Sequence, residues 1–173
     1  MGKTIFITGG ARSGKSRLAE ELAFGYGAPL GYIATGRAGD AEMAERIARH
    51  RARRGPAWVT IEEHLDLTGA ISARDGAVNA LLVDCVTLWL TNLLLHHDDS
   101  APALGEVAAL TRLMTNLTTP LILVSNEVGM GIVPDNPLAR AFRDLAGEAN
   151  EMLARAADEV YVTFSGMPLK LKG

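Results

Sequence analysis

The stretch "TIFITGGARSGKSRLAEELA" constrains this chain more than any other. Five residues of β type, Thr4-Ile5-Phe6-Ile7-Thr8, run into a glycine-rich loop, and a helical pattern starts at Lys15. Gly9, Gly14, Lys15 and Ser16 satisfy G-x-x-x-x-G-K-S in the strand–loop–helix setting that this pattern needs. Glycine lets the backbone curl until successive N–H groups face one point, and the following helix adds the positive end of its dipole. Such a loop holds phosphate. Lys15 would reach the terminal phosphates and the Ser16 hydroxyl would ligate Mg²⁺. Gly2-Lys3-Thr4 mimics the tail of the motif but lacks the upstream loop.

The remaining chain reads as strands alternating with helices. Apolar strands are expected at 30–35, 58–62, 80–84 and 121–125. Helices are expected from an N-cap at Asp40 to about Arg53, between the third and fourth strands, at 86–95, at 104–117 and at 137–156. The end reads as a hairpin, 159–164 and 169–172, around Ser165-Gly166-Met167-Pro168. The alternation predicts one α/β domain over 1–173, a mostly parallel sheet with helices on both faces and an antiparallel hairpin at one edge.

Composition narrows the function classes. A net charge of −3 gives no general attraction to nucleic acid or anionic membrane. The lone Cys85 excludes an internal disulfide and suits a reducing cytoplasm. No signal peptide is expected, since Lys3 and a short apolar run lead directly into the loop. The apolar stretch 86–95 is interrupted by Thr87, Thr91 and Asn92 and is too short to span a bilayer.

An acidic residue at the end of a buried strand is the expected partner of such a loop. "ALLVD" supplies Asp84, read as a metal ligand or as a helix N-cap. Cys85 beside it reads as a small buried hydrophobe, because no activating partner is evident. "SNEV" after the fifth strand is not the Asn-Lys-x-Asp stretch that reads guanine in switch proteins. "NEVGMGIVPDN" reads as a loop at the ligand-binding edge of the sheet, or as a connector whose glycines permit turns. His96-His97-Asp98-Asp99 has no spaced third ligand and reads as a solvated loop. Trp58 and Trp89 read as core or subunit contacts.

Positive charge is concentrated in "RIARHRARR". Met43, Ile47 and His50 share one helix face, so His50 reads as a core histidine or as a functional one. Neighbouring arginines disfavour imidazolium and leave a nitrogen lone pair free, which makes His50 a candidate nucleophile toward a bound phosphate chain.

The chain resembles the bifunctional adenosylcobinamide kinase / adenosylcobinamide-phosphate guanylyltransferase family of vitamin B12 biosynthesis. The resemblance rests on "TGGARSGKSRLAE", "YIATG", "DAEMAERIARHR", "LLVDCVTLWLTNLL", "VSNEVGMGIVPDNPLARAFRDLAGEANEMLA" and "ADEVYVTFSGMPLKLK", in order along nearly the whole sequence. It implies a RecA-like P-loop fold, phosphorylation of adenosylcobinamide, and transfer of GMP from GTP through a GMP adduct on His50. It places GTP contacts at Gly9, Gly10, Ala11, Arg12, Ser13, Gly14, Lys15 and Ser16, at Ala34, Thr35 and Gly36, at Arg51, Ala52, Arg53 and Arg54, and at Glu62 and Asp84. Lys15 and His50 would carry the chemistry, and Ser16 and Asp84 would hold Mg²⁺. ATP is a second candidate phosphate donor. The resemblance also implies a homotrimer with sites between subunits, whose partner is a small corrinoid rather than nucleic acid or membrane. Asp84 stands where some relatives have glutamate. Two further readings stay open: a kinase that moves only a γ-phosphate, and a non-catalytic GTP switch.

Overall fold

The computed structural model describes residues 1–36 and 55–173. In chain order its elements are β1 (Thr4–Gly9), α1 (Lys15–Phe24), β2 (Leu30–Ala34), β3 (Trp58–Glu62), α2 (Leu67–Ser72), β4 (Ala80–Asp84) and α3 (Val86–His97). Then come α4 (Ser100–Met114), β5 (Leu121–Val124), α5 (Pro137–Ala156), β6 (Glu159–Phe164) and β7 (Met167–Lys172). The helix expected from Asp40 to about Arg53 lies outside the described residues, and with it His50, Arg51, Ala52, Arg53 and Arg54.

All seven strands form one sheet in the order β3-β2-β4-β5-β1-β6-β7. Six run parallel, and β7 returns antiparallel to β6. The α/β sheet of the sequence reading is therefore present, with its C-terminal hairpin. Strands in its middle are apolar throughout because both faces are covered. Ile5, Ile7, Leu82 and Ile122 pack on the α1 face with Ala19 and Ala23. Phe6, Leu81, Val83 and Leu123 face the other way, onto Trp89, Leu110 and Leu145 from α3, α4 and α5. Burying each such Leu or Ile is worth about 1.5–3 kcal/mol. Apolar packing on both faces thus holds the sheet, and the polar groups at the strand ends are left for other work.

The helix ends have local causes. Asn136 caps α5 by accepting the Ala139 N–H at 2.8 Å, with Pro137 at the first position. The buried stripe of α5 is Leu145, Ala146, Ala149, Asn150 and Leu153, spaced for one helix face.

Several boundaries correct the sequence reading. His96 and His97 close α3 rather than lying in a loop, and Asp98 (φ 54) turns the chain. Asp99 then caps α4 through the Ala101 N–H at 3.2 Å, so α4 starts at Ser100, not 104, and ends at Met114, not 117. Pro102 is tolerated because it sits in the first turn, where its missing N–H has no helical partner. The last turn of the chain is two residues, Ser165 (φ 50) and Gly166 (φ 84), so β7 begins at Met167. A two-residue turn with both φ positive matches the twist of the hairpin.

Candidate functional site

The strand register brings Gly9, Ala34, Glu62 and Asp84, all singled out in the sequence, to one edge of the sheet. Ala34 lies opposite Glu62 on one side and Asp84 on the other, and Asp84 lies opposite Val124. Gly9 lies opposite Thr163. All are at carboxyl ends of parallel strands, the edge where α/β sheets bind ligands.

The loop 9–16 is held from several directions. Gly9 and Gly14 take φ of 150° and 100°, and Arg12 takes 56°. A Cβ on Gly9 would sit 2.6 Å from the Thr163 carbonyl oxygen, so only glycine fits there. Ser13 Oγ and Thr163 Oγ1 share a hydrogen bond of 2.6 Å. The Gly166 N–H donates to Ser13 O at 2.9 Å, and Arg17 Nη2 donates to Gly166 O at 3.1 Å. The hairpin turn thus braces the loop.

Lys15 opens α1 and is 7% exposed, with Nζ donating to Gly10 O at 2.6 Å. Burial pulls its pKa below the ordinary lysine range, while the charge of Asp84 acts in the opposite sense. An ammonium in this setting gains from an anion, which would restore the charge that burial disfavours.

Ser16 Oγ donates to Asp84 Oδ2 at 3.0 Å, and the Tyr32 hydroxyl donates to the same oxygen at 3.0 Å. A hydroxyl and a carboxylate are hard oxygen donors matched to Mg²⁺, so this pair fits the metal its motif implies. Asp84 does not act as a capping side chain: the N-cap of α3 is Cys85, with no side-chain bond. Cys85 is buried, and burial raises its thiol pKa to about 11.

Thr35 is fully buried and is tied to the end of β4, donating to Cys85 O at 2.7 Å and accepting from Cys85 N at 3.0 Å. Asn92 Nδ2 donates to Thr35 O at 2.8 Å and to His64 O at 3.2 Å. The segment Ala34, Thr35 and Gly36 is thereby fixed beside Asp84. Glu62 ends β3 at the exposed rim of the same edge.

Sequence reasoning missed Tyr32, Thr163, Arg17 and Asn92, whose partners are far away in the chain. A family model described as cobinamide kinase / cobinamide phosphate guanyltransferase matches residues 5–171. This chain belongs to that family.

Its relatives match over nearly their whole length. The bifunctional adenosylcobalamin biosynthesis protein CobP of Pseudomonas aeruginosa is 50% identical over 167 residues, covering 96% of each chain. The bifunctional adenosylcobalamin biosynthesis protein CobU of Escherichia coli is 42% identical over 180 residues, covering 97% of this chain and 99% of its own. Among solved structures, the RadB recombinase is similar at a TM-score of 0.54 and 14% identity, over 92% of this chain and 73% of that one. The ATPase EscN of enteropathogenic E. coli is similar at 0.52 and 16%, over 93% and 42%. These two likenesses concern the fold, that of P-loop NTPases. The family is one of transferases in cobalamin biosynthesis, with kinase and guanylyltransferase activities. Among the described residues, no helix is long and apolar enough to cross a membrane.

Proposed function

We propose that this chain phosphorylates adenosylcobinamide and then transfers GMP from GTP to the resulting phosphate, releasing pyrophosphate. The observation that carries the reading is the braced loop 9–16 with the Ser16–Asp84 pair at its side, in a chain of this family. Backbone N–H groups of Gly9, Gly10, Ala11, Arg12, Ser13 and Gly14 cradle the phosphates, and Lys15 stabilises charge on the group in transfer. Ser16 and Asp84 hold Mg²⁺, which when bound neutralises phosphate charge. Ala34, Thr35, Gly36, Glu62, Arg51, Ala52, Arg53 and Arg54 complete the GTP contacts. GTP serves both steps, with ATP as an alternative γ-phosphate donor.

In the second step the neutral His50 ring attacks the α-phosphorus. The P–O bond to pyrophosphate breaks, and GMP stays on the ring through a P–N bond until the acceptor phosphate displaces it. The protein acts as a single catalytic domain, a homotrimer in the cytoplasm. A short chain gains enclosure for a large corrinoid from neighbouring subunits.

Incubation with GTP labelled at the α or the γ position tests the reading. Covalent α-label on the protein, absent in His50→Ala, together with γ-label on cobinamide, is the expected result. γ-Label on cobinamide with no protein adduct leaves a kinase alone, and binding with neither transfer, γ-labelled ATP included, overturns both activities.

A further inference from the structure

We propose that the cavity between the phosphate loop and the β6–β7 hairpin receives the alcohol end of the phosphoryl acceptor, and that the Glu127 carboxylate takes that hydroxyl's proton. This inference rests on the kinase half of the proposed function and names a group which that half has so far lacked.

The cavity is about 320 Å³ and is bounded by Gly10, Arg12 and Ser13 of the loop, Thr163 and Phe164 of β6, and Glu127. That volume is at the low end of small-molecule sites, about 300–1,000 Å³. It takes a slender arm that ends in a hydroxyl and leaves a corrin ring outside. Met130, also at its wall, is 77% exposed and Phe164 is 51% exposed, so two apolar side chains stand where the ring would rest.

Glu127 is the one acidic side chain among the described residues that line this cavity. Its backbone is fixed on three sides. Its own N–H donates to Gly9 O at 2.9 Å, extending the β5–β1 ladder to the first residue of the loop. The preceding residue donates N–H to Thr87 Oγ1 at 2.7 Å and accepts from Asn150 Nδ2 at 3.1 Å. Beyond it, Gly129 O accepts from Arg143 Nη2 at 2.9 Å. The carboxylate is oriented too, since Oε1 accepts the Gly129 N–H at 2.6 Å. An ionised carboxylate has about four lone-pair sites, so one such bond leaves it able to accept a proton. Asp84, by contrast, is occupied by Ser16 and Tyr32 on the far side of β5.

The step balances within the kinase reaction. The acceptor O–H bond breaks and its proton passes to Glu127, while the oxygen forms a bond to the γ-phosphorus. The bond from that phosphorus to the β–γ bridging oxygen breaks, and its electron pair leaves with the nucleoside diphosphate. Guanylylation of His50 involves no acceptor hydroxyl, so the two activities should separate in a Glu127 variant.

The experiment compares the full chain with E127Q and E127D, using cobinamide, Mg²⁺ and GTP labelled at either position. Glutamine keeps an oxygen for the Gly129 N–H and loses the base. Cobinamide phosphorylation by E127Q should fall about 100-fold or more, the usual weight of a general base. Its covalent α-labelling should stay within about threefold of the full chain, and the acid limb of the kinase pH profile should disappear. E127D, which keeps a carboxylate, should recover at least about tenfold over E127Q and retain the acid limb. It also carries the test if E127Q does not fold: an unchanged rate with no acid limb would then overturn the proposal. Phosphorylation by E127Q within about threefold of the full chain, or equal loss of both activities, overturns the role of Glu127 alone. A full chain that never phosphorylates cobinamide, with γ-labelled GTP or with γ-labelled ATP, overturns the kinase reading and this inference with it.

Discussion

Ser13 and Thr163, 150 positions apart in the chain, share a hydroxyl–hydroxyl bond of 2.6 Å in a buried setting. Together with Gly166 N to Ser13 O, it makes the C-terminal hairpin a brace for the phosphate loop.

The turn that forms this brace requires glycine. Gly166 has φ +84°, and a Cβ there would lie 3.3 Å from Arg17 Nη2. Gly166→Ala should cost about 1–2 kcal/mol, the penalty for a left-handed L-residue. Thermal unfolding should drop by a few degrees, and titration should show weaker nucleotide binding. A variant with unchanged melting and unchanged binding would show that the turn is not a brace.

Lys15 separates chemistry from stability. Its ammonium is buried at an energetic cost, so Lys15→Ala should leave the melting temperature unchanged or slightly raised. Nucleotide-dependent transfer should fall on the order of 10²–10³-fold, because the charge on the transferring phosphoryl group loses its partner. Rates of both transfers measured beside a melting curve check this, and normal turnover would refute the loop's assignment.

Glu159 governs acid stability. Hydrogen bonds from Lys170 and Lys3, each at 2.7 Å, and from the Tyr161 hydroxyl lower its pKa to about 2, from an ordinary 4.5. The folded pKa is the lower one, so this contribution is whole above pH 4.5 and disappears as pH falls through 4.5 toward 2. Both lysines are exposed enough for solvent to screen them, which limits Glu159→Gln to about 1 kcal/mol at neutral pH. Asp158, whose pKa is lowered chiefly by the Thr4 N–H, acts in the same direction. Melting curves from pH 7 to pH 2 should converge for parent and variant at the acid end, and a gap independent of pH would exclude the mechanism.

Cys85 should be inert. It is 7% exposed, and its thiol pKa is raised to about 11 by burial first and by the neighbouring Asp84 charge second. A thiol reagent at pH 8 should release no colour from folded protein and one equivalent after denaturation, since the thiolate is the reactive form. Prompt reaction in the native state would contradict this.

Most of the fold was legible because its central strands are buried on both faces and read as apolar runs, and because α5 opens on an Asn-Pro start signal. Asp84 and the loop were legible for a similar reason, since each sits at a strand end marked by apolar residues. α4 was misplaced because "DDSAP" has loop composition, although Asp99 and a first-turn proline are also a helix start. Tyr32, Thr163 and Arg17 carried no local signal. Their roles exist only through strand register, which sets Gly9 opposite Thr163 and Ala34 opposite Asp84. Glu127 lies within "NEVGMGIVPDN", yet its place against the phosphate loop shows only in three dimensions, through the Gly9 O contact and the cavity wall the two share.

The brace also sets an order of assembly. β1 pairs with β5 and β6 alone, and the loop after it leans on Thr163 and Gly166. During vectorial synthesis the phosphate-binding residues leave the ribosome well before β6 and β7, which hold them. A nascent chain that has made everything through α5 carries the whole G-x-x-x-x-G-K-S sequence with no hairpin to brace it. A firm grip on a triphosphate should therefore come only once translation has run past the hairpin, and a chain cut before β6 should bind more weakly than the full one.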